Sequence, residues 1–167
     1  MESAYLTYRN SLIHYRKSGS GSRLAICFHG FGTFADTFDW IAQHVPDYTF
    51  IAFDLPFHGL TQWNDKDIKV DELVQVMDLC PEVNGRPFAL VGYSMGGRLS
   101  LSILQHIPSR ITRLLLLAPD GLHVNSWYWF ATQTSIGNKH PDMTVRILRS
   151  IHEVSAMDWN ALELRSE

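Results

Sequence analysis

Four apolar runs, each closed by glycine or proline, constrain this chain more than any other feature. They are RLAICFHG (23–30), YTFIAFDLPFHG (48–59), FALVGYSMGG (88–97) and ITRLLLLAPDG (111–121). Unbroken apolar stretches of this length suit strands covered on both faces, as in a parallel sheet. Helical spacing fills the gaps: Phe34, Phe38, Ile41 and Val45 form one stripe, Leu73, Val76, Met77 and Cys80 a second, and Leu101, Leu104 and Ile107 a third. Strand and helix in alternation predict a doubly wound α/β sheet whose loops meet at the carboxyl ends of the strands.

Upstream, YLTYRNSLIHY reads as two extended pieces hinged at Asn10 and Ser11, an N-terminal hairpin, followed by the flexible break KSGSGS. From about Leu122 the character changes. HVNSWYWFATQT is rich in aromatic residues, and DMTVRILRSIHEV carries Val145, Leu148, Ile151 and Val154 at helical spacing, so a helical lid-like segment is expected over 122–167 beside a core over 1–121. No strand pattern is read after residue 121.

At 167 residues and 46% hydrophobic content, the chain suits one domain. A net charge of -3 with scattered basic residues gives no footprint for nucleic acid. The apolar runs are too short to span a bilayer, and the N-terminus has no signal-peptide pattern, so a cytoplasmic location is expected. Cys27 and Cys80 lack metal-ligand spacing and read as buried thiols; no metal and no cofactor are implied.

Gly92-Tyr93-Ser94-Met95-Gly96 fits G-x-S-x-G between a strand and a helix, the context of a tight elbow that exposes a serine hydroxyl. An attacking serine needs a base for its proton and fixed donors for the oxyanion it creates. The backbone N–H of Met95, at the start of the following helix, is one donor candidate. A glycine turn with no chemical role is the bland reading of the same residues.

HGFG after one strand, DLPFHG after the next, GYSMGG at the elbow and LLLLAPDG after the strand beyond it resemble the α/β-hydrolase superfamily. The resemblance runs from about residue 4 to 121. It implies Ser94 as nucleophile and the N–H of Phe31 as second oxyanion donor. His29 and His58 then belong to loop architecture, and Asp54 to satisfying loop backbone donors. Asp120 is the acid candidate, against the alternative of an ordinary Asp-Gly turn. His123 is only three residues from Asp120, and His140 and His152 fall in lid-like sequence with no strand in front of them, so no base is assigned. Trp127 and Trp129 would line an apolar acyl pocket, unless they only pack the lid on the body.

The family's later strands are missing from this reading, which makes the fold C-terminally incomplete. That expectation leaves a piece of a longer hydrolase, or a shortened relative without its base, with self-association through the open edge of the last strand. Two functions stand. One is a serine esterase acting on a small apolar ester-like substrate; the other is a non-catalytic binding or interaction module of the same fold. A nucleotide-binding fold is disfavoured, because neither G-x-G-x-x-G nor a P-loop lysine pattern is present.

Overall fold

The computed structural model describes residues 2–119 and the backbone of residues 144–148. It contains a seven-stranded sheet in the order β1-β2-β4-β3-β5-β6-β7. β1 (Glu2–Tyr8) and β2 (Ser11–Ser18) form the expected antiparallel hairpin, turning at Arg9, whose φ is 50°. β3 (Arg23–Phe28), β4 (Tyr48–Phe53), β5 (Phe88–Tyr93) and β6 (Ile111–Leu117) are the four apolar runs. β2 joins β4 in antiparallel fashion, while β4, β3, β5 and β6 pair in parallel.

The last strand corrects the sequence reading. Thr144–Leu148, expected to be helical, is β7, paired in parallel with β6 from Arg113↔Thr144 to Leu117↔Leu148. The sequence TVRIL carries three β-branched residues, which favour a pleated neighbour as much as their spacing suggests a helix. Because β6 is buried on both faces, it needs a strand on its outer side to take its backbone groups. The sheet therefore continues past β6, and among the described residues β7 is its outermost strand on this side.

Along β3, side chains alternate between two cores as a strand requires. Leu24, Ile26 and Phe28 face a cluster with Leu73, Val76 and Met77 of α2 (Val70–Leu79) and Ile103 and Leu104 of α3 (Met95–His106). Ala25 and Cys27 face Phe38 and Ile41 from a 3-10 turn (Ala35–Phe38) and from α1 (Asp39–His44). Phe34 leaves the predicted stripe: it precedes the helical turns and is exposed. Both cysteines are free and buried, and burial pushes the Cys27 thiol well up. No helix among the described residues is long and apolar enough to cross a membrane.

After β3 the chain adds β4 on one side, and β5 then pairs with β3 on the other. The loops leaving β3 and β5 thus diverge at a switch point, where α/β sheets open a crevice. Ile26, fully buried under α2 and α3, is in the middle of this arrangement. Ile26→Ala is expected to lower unfolding free energy by about 2–5 kcal/mol, read from urea unfolding midpoints.

Candidate active site

The elbow is built by backbone crowding. Ser94 has φ 50° and ψ -115°, a conformation that costs a non-glycine residue of order 1–3 kcal/mol. It is held by Ser94 N–H donating to the Leu117 carbonyl at 2.9 Å and Gly97 N–H donating to the Ser94 carbonyl at 2.9 Å. The Ser94 hydroxyl does not cap α3, although Ser94 stands at its N-cap. The half-buried side chain is thereby left free of the usual local duty of a serine in this position.

Two glycines are obligatory for steric reasons. A Cβ at Gly92 would lie 2.5 Å from the Gly96 carbonyl oxygen, and one at Gly96 would lie 2.0 Å from the carbonyl oxygen of Phe28. The first lets α3 start against β5; the second lets it press on the end of β3. The same closeness brings the β3 loop to the serine, because a Cβ at Gly30 would lie 3.1 Å from Ser94 Cβ. Gly96→Ala, which drives a methyl into backbone, is expected to cost at least about 1–3 kcal/mol in urea unfolding.

The loop after β3 is tied down by His29, which is completely buried. Its Nε2 accepts from Leu55 N–H at 3.0 Å, so the ring proton is on Nδ1 and is donated to the Gly30 carbonyl at 2.7 Å. Thr33 closes the turn with its hydroxyl on the same carbonyl, at 3.0 Å. Phe31 stands at the tip with its side chain 82% exposed and its ring edge-on to His58, with centroids 5.6 Å apart. His58 is in turn bonded through Nδ1 to the Pro56 carbonyl.

Asp54 does the structural work expected of it, and more. Its carboxylate accepts Ala35 N–H at 2.7 Å and Leu60 N–H at 2.8 Å, fastening the loops after β3 and β4. It also takes His14 Nδ1 at 2.7 Å. Nothing in the sequence reading pointed to His14, because an isolated histidine within a strand has no spacing signal.

Burial pushes the pKa of His29 below its ordinary 6.5, against the opposing pull of its bond to Gly30. The unfolded chain takes up a proton near 6.5 and the folded one only at lower pH. Stability is therefore complete above 6.5 and declines as pH falls from there toward the depressed folded value. His29→Gln is expected to flatten that decline when urea midpoints are compared between about pH 7 and pH 5.

Of the site residues predicted from sequence, the structure brings together Ser94, Met95 and the loop bearing Phe31. Asp120, Trp127 and Trp129 lie outside the described residues, as do His123, His140 and His152.

A strand-elbow-helix around a strained serine, at the switch point of a mostly parallel sheet, defines a hydrolase-type α/β architecture. The chain belongs to the alpha/beta hydrolase fold family, whose sequence profile matches residues 26–162. It is similar to the monoacylglycerol lipase ABHD6 of Bos taurus, at 30% identity over 106 residues, covering 60% of this chain and 32% of the lipase. It is also similar to the pimeloyl-[acyl-carrier protein] methyl ester esterase of Legionella pneumophila, at 27% identity over 154 residues, covering 90% of this chain and 61% of the esterase. Among solved structures, a predicted CIB-like hydrolase from Thermoplasma acidophilum superposes with a TM-score of 0.66, 13% identity and coverage of 97% and 95% of the two chains. The chain spans about a third of the length of the lipase and less than two thirds of the esterase.

Proposed function

We propose that this chain carries the nucleophile of a serine hydrolase that cleaves a carboxylic ester or related acyl bond. The observation that carries the reading is the strained Ser94 at the β5–α3 elbow with the Gly30 loop against its Cβ. Relatives that include a lipase and a methyl ester esterase support an ester as substrate.

In this reading Ser94 Oγ attacks the acyl carbon and its proton passes to a base. The oxyanion accepts the N–H groups of Phe31 and Met95, the second reinforced by the start of α3. The alcohol leaves with a proton, and water then releases the acyl group from Ser94. His29 is not the base, since both its ring nitrogens are engaged within the loop. Asp120 is assigned as the acid that orients the base, and Trp127 and Trp129 as walls of an apolar acyl pocket. The exposed Phe31 and Phe57 near the same loops favour an apolar rather than a charged substrate.

A fluorophosphonate probe is expected to label Ser94 in the folded chain and to give no label at that site in Ser94→Ala. A folded wild-type chain that stays unlabelled at Ser94, yet binds apolar esters, would replace catalysis with the binding-module reading.

A further inference from the structure

A second serine, far from the elbow in sequence, is joined to a histidine and an aspartate. Ser3 Oγ lies 2.6 Å from His14 Nε2, and His14 Nδ1 lies 2.7 Å from Asp54 Oδ2. The hairpin register sets the first contact: Tyr5 pairs with His14 and Ser3 with Arg16, so Ser3 is the diagonal neighbour of His14 on the same face. Burial and backbone bonding set the second. His14 and Asp54 are each 2% exposed. His14 N–H donates to Thr61 Oγ1 at 3.0 Å, and Asp54 N–H donates to the His14 carbonyl at 3.0 Å.

The direction of the relay follows from the acceptors. Asp54 already accepts Ala35 N–H and Leu60 N–H, which suits a carboxylate. His14 Nδ1 therefore donates to it, and in the neutral imidazole Nε2 is left as an acceptor for the Ser3 hydroxyl. A carboxylate that fixes the tautomer of a histidine facing a serine is the arrangement that makes a hydroxyl nucleophilic. His14 is buried, while Ser3 is exposed. Against the same imidazole lies a cavity of about 270 Å³, bounded also by Arg16, Phe34, Asp36 and Leu60. Phe34 and Leu60 are exposed at this cavity, whose lining reaches His14 and Asp54 but not Ser3.

We propose that Ser3 is an acyl-acceptor site, activated by His14 and Asp54, that takes an acyl group from an activated ester or thioester. Ser3 Oγ forms a bond to the carbonyl carbon as the bond to the leaving group breaks. The hydroxyl proton moves to His14 Nε2 and from there to the departing alkoxide or thiolate. The product is an ester on Ser3, with the leaving group released as the alcohol or thiol. Nothing in this step depends on the reactivity of Ser94.

The test uses the 167-residue chain with Ser94→Ala, treated with 4-nitrophenyl acetate and mapped by tandem mass spectrometry of the N-terminal tryptic peptide. Acetylation at Ser3 is expected at least ~100-fold faster in the folded chain than in the same chain unfolded in urea, the lower end of what a positioned base contributes. His14→Gln, where circular dichroism shows it folded, is expected to bring the rate down to the unfolded level. Ser3→Ala, an exposed change, should remove the mark and leave the fold intact. A folded rate within a few-fold of the unfolded one, acetyl on Tyr5 or Thr7 in place of Ser3, or a folded His14→Gln chain that reacts as fast, would each overturn the proposal. The folded-to-unfolded comparison decides the matter even if His14→Gln does not fold.

Discussion

Contact between backbones at the end of β3 governs this molecule. Gly96, in the first turn of α3, rests on the Phe28 carbonyl so closely that no side chain fits between them. That contact fixes how far α3 can advance over the sheet, and with it where the chain must bend after Tyr93. The bend is unfavourable for serine, and it persists because hydrogen bonds to Leu117 and Gly97 hold both sides of it.

Buried polar side chains then fix the loops that face this bend. His29 links the turn after β3 to Leu55, and Asp54 links Ala35, Leu60 and His14. His29, Asp54 and His14 are themselves buried, so a bond lost by any of them would leave a polar group unpaired at a cost of about 1–3 kcal/mol. Two loops and the N-terminal hairpin are thereby fastened with three side chains. The precision of the crevice comes from this bonding, since apolar packing alone has no direction.

Much of this was legible in the sequence because its signals are local. The four apolar runs became β3 to β6, and G-x-S-x-G with flanking strand and helix patterns located the elbow at Ser94. Asp54 was assigned to loop donors, and it serves them. Three things escaped. Residues 144–148 fit a helical stripe and a strand equally well over so short a stretch, and the exposed flank of β6 decided between them. Phe34 fell on an apolar period but sits before the helix begins. His14 pairs with a residue forty positions later, a contact that only the β2–β4 pairing creates. Periodicity reports on one element at a time, so long-range polar pairs stay invisible to it.

The sheet order also bears on how the chain assembles. The hairpin of β1 and β2 closes locally, but β3, at the centre, gets one neighbour from β4 and the other only once β5 has been made. Parallel partners require long loops to be closed before any pairing is rewarded. During synthesis, β3 therefore keeps one flank unpaired until β5 has been made.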